Sequence, residues 1–189
     1  REPYDALFDQ YEPGATAAEF EAMITALARE LHPLLDAVLA KHDPVPTLPA
    51  GPYPPEVQFV HNREVAGRLG YDFERGRLDL TAHPFELGLG WGDVRITTRF
   101  KDENVALGLL ATVHETGHGL YDQGLPEELA DNFAGRAISL GLHESQSRFW
   151  ENHVGRSLPF WEAEMPRLQS LYPVLARHDA RAMLAAVNH

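Results

Sequence analysis

Residues 104–118, NVALGLLATVHETGH, constrain this chain more than any other stretch. Apolar residues fall around most of the helix that this text would form, as expected where a helix is buried. The same helix ends in two histidines, His114 and His118, four positions apart. One turn of α-helix brings residues four apart onto one face, so the two imidazoles converge on one point. Polar rings buried there need a partner, and a metal ion supplies one. Two neutral imidazoles make half of a zinc site. Glu115 completes an HExxH pattern, in which the glutamate serves as general base beside the metal. The bland alternative is a histidine pair on an amphipathic helix, satisfied by solvent or by protein groups.

Composition narrows the field. A chain of 189 residues is about one domain and long enough for a sizeable core. Cysteine is absent, which removes disulfides, thiolate metal sites and cysteine nucleophiles together. Any metal ligand must therefore be His, Asp or Glu. The formal charge of −12 repels phosphate backbones and anionic lipid, so nucleic acid and membrane are not expected partners. No run of eighteen apolar residues and no signal-like leader is found, and the expected location is cytoplasmic. The first residue is Arg1 instead of Met, which suggests a processed chain or a piece of a longer one.

Helical periodicity predicts a long helix from Thr16, where Thr16 and Glu19 have capping-box spacing, with Pro33 expected to kink or divide it. The proline-rich His42–Pro55 segment cannot be regular. A second helix should start at Pro54 or Pro55 and stop at Gly70, with Val57, Val60, Val65 and Leu69 as its apolar face. His61 within it reads as a packed or surface residue, not a ligand. Alternation predicts two short strands, near 77–82 and 93–99, paired antiparallel, with the HPF turn of His83–Phe85 between them. An extended substrate could add to an open edge of such a sheet.

Asp102 or Asn104 should cap the HETGH helix, and Gly124 with Pro126 should end it. Gly117 and Gly119 weaken that helix by about 1 kcal/mol each against alanine, so they should serve close approach of another backbone or of substrate. Residues 125–136 are ambiguous between loop and short helix. A helix from about Ser139 carries Glu144, twenty-six residues beyond His118, together with Gln146, Arg148 and Glu151. Ser157 should cap a helix broken by Pro166, and Asp179 the last one.

HPF (83–85), DVRITTR (93–99), HETGH (114–118) and HESQSRFWEN (143–152), in this order, resemble the carboxypeptidase Taq family of metallocarboxypeptidases. GRLDLTAHPF, YDQGLP and the opening PYDALFDQYEPG are similar too, so the resemblance spans essentially the whole chain. It implies a mainly α fold, a helical zincin-like catalytic core with a small antiparallel β-sheet. It also implies a catalytic Zn2+, with Co2+ as the other usual metal, and release of single residues from the C-termini of peptide substrates. Carried over by position, His114, His118 and Glu144 are metal ligands and Glu115 is the catalytic base. HPF and the Asp93, Arg95, Thr97 motif align with segments lining the family's substrate groove. Family members are longer, with helical regions on both sides of this core. The chain stops at Asn188 and His189, about where an Ile-Arg-x-x-Ala-Asp type segment should begin, and is expected to be a fragment or a shortened relative.

An enzyme that removes C-terminal residues must also pair the substrate carboxylate with a cation, usually a forked arginine. The candidates are Arg95, Arg99, Arg136 and Arg148, and His83, Arg95 and Arg148 are the expected substrate-binding set. Arg148 lies four residues after Glu144 and could equally support that ligand. Two other readings stand beside the carboxypeptidase. One is a zinc peptidase of different end preference, an endo- or aminopeptidase. The other is a non-catalytic zinc-binding core completed by a partner or a homodimer, because absent flanks would leave helix faces exposed.

Overall fold

The computed structural model describes residues 2–41, 44 and 46–188. Length alone suggested one core; residue contacts group the chain into two compact units, Arg1–Val45 with Ile138–Leu142, and Pro46–Ala137 with His143–His189. Part of the predicted proline-rich connection, His42, Asp43 and Val45, lies outside the described residues. Among the described residues no helix is long and apolar enough to cross a membrane.

The first unit pairs a short helix α1 (Pro3–Phe8) with α2 (Ala17–Leu39). The Thr16–Glu19 capping box forms as the sequence implies. Asp5 accepts a hydrogen bond from the Ala17 amide (2.9 Å), and the Phe8 and Phe20 rings meet at 5.2 Å. Pro33 does not divide α2, which runs on through it. No residue of α2 is buried, and Phe20, Ile24, Leu27, Leu31, Leu34 and Val38 form an exposed apolar stripe. Their alternating four- and three-residue spacing is that of one helix face.

The second unit carries the chemistry. Its core is built by α3 (Pro55–Leu69), α4 (Val105–Gln123), α6 (Leu158–Leu171) and α7 (Ala180–Val187), around Trp161, Leu109, Val113, Leu168 and Met183. Pro55 opens α3 and Gly70, at φ 109°, closes it in the left-handed conformation that glycine alone adopts without strain. Val65 of its expected apolar face is buried, and Val57 and Leu69 pack against the core, but Val60 is exposed, and Gln58, His61 and Asn62 are buried instead, with Ala66. These polar groups face partners. His61 Nε2 lies 3.1 Å from Glu164, which also pairs with Arg68, and the Asn62 amide donates to Thr112. Asn104 caps α4, Ser157 caps α6 and Asp179 caps α7. Pro166 does not break α6. Residues 125–136 contain two single 3-10 turns, Glu127–Leu129 and Phe133–Gly135.

A small sheet is present beside the helices, as expected, but its pairing differs from the prediction. The strands β1 (Gly76–Leu80) and β3 (Asp93–Thr98) pair parallel, from Gly76 opposite Val94 to Leu80 opposite Thr98. The antiparallel partner of β3 is an unforeseen strand, β2 (Glu86–Gly90). Two reversals explain this: the HPF turn inverts the chain between β1 and β2, and the hairpin at Trp91–Gly92 inverts it again. Strands separated by two reversals must run the same way. The glycines of ELGLG hid β2 by reading as an interruption.

Helix α4 lies against β3 and against the segment formed by α5 (Leu140–Arg148) and a π-helical continuation, Phe149–Gly155. Its glycines permit this. A Cβ on Gly117 would stand 2.7 Å from Ser147 Cα and 2.9 Å from the Gln146 carbonyl oxygen, and one on Gly119 would meet the Tyr71 ring at 2.7 Å. Close approach of another backbone is thus what Gly117 provides. Gly117→Ala should destabilise the metal-free protein by about 1–3 kcal/mol, because overpacking against backbone outweighs the gain in helix propensity. The midpoint of thermal unfolding is then expected several degrees lower; an unchanged or raised midpoint would refute this packing account.

Candidate metal centre

Helix α4 presents His114 and His118 on one face, and α5 brings Glu144 up to them. Glu144 Oε2 lies 3.6 Å from His114 Nε2 and 3.2 Å from His118 Nε2. The three donor atoms all fall within 4.8 Å of one another. Donors bound tetrahedrally at about 2.0–2.1 Å from one ion sit roughly 3.3 Å apart. The observed spacings straddle that value, and two imidazoles with one carboxylate form a donor set suited to a divalent cation, so the residues fit one.

Neighbouring groups aim each donor. Arg148 donates through Nε to Glu144 Oε1 (2.8 Å), which leaves Oε2 turned toward the histidines. Ser147 also donates to Glu144 Oε2 (3.1 Å). His114 Nδ1 lies 2.8 Å from Glu151 Oε2, so its proton is held there and Nε2 is left bare. Glu151 is itself fixed by Arg156 (3.2 Å) and reaches His114 from the π-helical segment. Such widened turns recur at functional sites because they re-aim side chains. His118 Nδ1 lies 2.5 Å from Nδ1 of His143, whose Nε2 is 3.0 Å from Asp122 Oδ1.

Electrostatics follow from burial and charge. Burial, then the neighbouring His143 and His114, lowers His118 to about 4, which favours the neutral ring that metal binding would require. His114 moves the other way: burial lowers it, but the Glu151 hydrogen bond and nearby carboxylates outweigh that. Glu144 is net lowered, since Arg148 and His114 overcome the burial that raises it. Glu115 is 6% exposed, and burial pushes its carboxyl up to about 7, with Glu144 and Glu151 adding to the rise and His114 opposing it.

Of the predicted site residues, the structure brings His114, His118 and Glu144 together, with Glu115 on the same helix and Arg148 on Glu144. The other two are engaged by other groups. Arg95 forks onto Asp93 (2.8 and 2.7 Å), and His83 is exposed in the turn after β1, its carbonyl accepting from Thr81. Thr97, from the same motif, is buried and anchors that turn by accepting from the Phe85 amide (2.8 Å). Sequence reasoning missed Asp122, His143 and Glu86. Asp122 had a signal, because it follows His118 by four residues on the same helical face. Glu86, on the unforeseen β2, had none.

A helical unit carrying HExxH histidines and a distant glutamate at metal-ligand spacing is the arrangement of a metallopeptidase core. Residues 1–189 match the carboxypeptidase Taq (M32) metallopeptidase family, and the chain belongs to it. It is similar to thermostable carboxypeptidase 1 of Thermus thermophilus, 47% identical over 188 residues, which cover 99% of this chain and 37% of that protein. A solved M32 carboxypeptidase from Deinococcus radiodurans superposes with TM-score 0.86 at 39% identity, over 99% of this chain and 38% of that one. The Pyrococcus furiosus carboxypeptidase gives TM-score 0.89 at 38% identity, over 100% and 38%. The chain therefore spans less than two-fifths of the length of these relatives.

Proposed function

We propose that this chain carries the catalytic core of a metal-dependent carboxypeptidase that releases single C-terminal residues from peptides. The observation carrying this reading is the convergence of His114 Nε2, His118 Nε2 and Glu144 Oε2, with the buried Glu115 carboxyl on the intervening turn. The three donors would hold the cation, and zinc suits them best, with cobalt also compatible. When bound, a divalent metal polarises the scissile carbonyl and makes water acidic near neutral pH. Glu115 takes the proton from the attacking water and passes it to the leaving amine. Glu151 and Arg148 keep His114 and Glu144 oriented. The edge of β2, whose Glu86 stands 3.8 Å from His143, is where an extended peptide would add as a further strand.

Arg95 and His83 remain the proposed groove residues. Arg148 would have to leave Glu144 and Glu151 to grip a substrate carboxylate, so its proposed role is to orient Glu144. The test is digestion with zinc or cobalt of one peptide in two forms, blocked at either end, read by mass spectrometry. Stepwise loss from the free C-terminus, abolished by C-terminal amidation, is expected. Shortening from the N-terminus or internal cleavage would overturn the end preference.

A second reading rests on the exposed stripe of α2: the core binds metal but needs a homodimer or another partner to become active. Metal uptake without hydrolysis, with self-association in sedimentation, would select it.

A further inference from the structure

We propose that His143, backed by Asp122, is a positioning residue that decides which nitrogen of His118 carries the proton and so keeps His118 Nε2 bare for the cation. The inference rests on the metal reading of the His114, His118, Glu144 site. Two imidazole nitrogens face each other at 2.5 Å, His118 Nδ1 and His143 Nδ1. A single proton fits between them, and its owner matters. If His143 donates, a neutral His118 carries its proton on Nε2, pointing at Glu144 Oε2 and at the position of the cation. If His118 donates, its Nε2 has a free lone pair.

The far side of His143 selects between these states. Its Nε2 lies 3.0 Å from Asp122 Oδ1 and 3.8 Å from Glu86 Oε2. A carboxylate only accepts, so the proton of a neutral His143 sits on Nε2 and its Nδ1 is an acceptor. The choice made at Asp122 is then handed through two rings to His118 Nε2. Tyr121 holds the His143 ring edge-on at 5.1 Å, and the His118 and His143 rings lie 4.7 Å apart, tilted by 32°.

His114 is oriented differently. There a carboxylate, Glu151, meets Nδ1 directly at 2.8 Å, the usual way in which a ligating histidine is oriented. Asp122, four residues beyond His118 on α4, reaches it through an inserted imidazole instead. The donor atoms of Glu86, Asp122 and His143 also fall within 4.8 Å of one another. With His143 Nε2 engaged by Asp122 and Nδ1 by His118, that cluster serves the neighbouring site.

The test compares two variants of similar bulk in the full chain. His143→Leu removes the acceptor facing His118; His143→Gln restores one as an amide oxygen. Zinc affinity by chelator competition should fall roughly 10–100-fold in His143→Leu, the range for lost outer partners, and should return to within a few-fold of wild type in His143→Gln. Long-range proton–nitrogen NMR of the zinc-loaded wild type should find the His118 proton on Nδ1. Unchanged affinity in His143→Leu, equal losses in both variants, or a His118 proton on Nε2 would each overturn the proposal. A wild-type protein that takes up no zinc would instead overturn the metal reading, and this inference with it.

Discussion

Replacing Glu115 with glutamine is expected to leave metal binding near wild type and lower peptide turnover by about 10²–10⁴-fold, the usual span for a general acid–base group. The amide keeps the shape of the carboxylate but cannot take a proton from water. Glu115 is not one of the three converging donors, so metal content measured after dialysis should not change. Turnover retained in the variant would reject the role. A structural signature accompanies the catalytic one. In the metal-free protein burial raises the Glu115 carboxyl from 4.5 to about 7. The folded state then binds more protons than the unfolded state between those values, so this group's contribution falls as pH rises through the window. Glutamine has no such titration. The metal-free variant should therefore be more stable than wild type above pH 7, by at most about 3 kcal/mol, and equal to it near pH 4. A less stable variant at pH 8 would show that the carboxylate is held by attractive partners and not by burial.

The second large effect is expected at Glu144. Glu144→Gln keeps the side chain's length and its capacity to meet Arg148, but removes the charge that faces both imidazoles at 3.2 and 3.6 Å. A neutral amide is a poor ligand beside two neutral imidazoles, because no protein charge then balances the cation. The loss of affinity should exceed the roughly 10–100-fold typical of outer partners, and activity should fall with metal occupancy. Chelator competition with zinc or cobalt reads the first quantity and peptide turnover at saturating metal the second. Affinity within tenfold of wild type would remove Glu144 from the ligand set. Full activity restored by excess metal would show that the charge aids binding alone.

The legible part of the site was the part written in one helix. His114, Glu115 and His118 owe their relation to the 3.6-residue turn, which any helix imposes. Asp122 obeys the same spacing and was open to the same reasoning. Glu151 and His143 are different. Each reaches its histidine from the α5 segment, and Glu151 does so after a π-helical widening that no periodicity announced. Helix caps at Thr16, Asn104, Ser157 and Asp179 were readable because a cap is a local contest for backbone amides. Strand pairing was not. Val94 and Ile96 alternate visibly, yet nothing local says whether the neighbour runs parallel or antiparallel, and that choice turned on the glycine-rich β2.

By itself the sequence determined a buried helix with two imidazoles and a carboxyl at fixed spacing, a cysteine-free donor set and the helix caps, since these follow from short-range geometry and composition. Tertiary structure alone decided which groups face the second nitrogen of each histidine, that Arg148 rests on Glu144, and that polar residues of α3 point inward. Those outcomes depend on how separate elements pack. Contacts between residues far apart in the chain leave no period in the text.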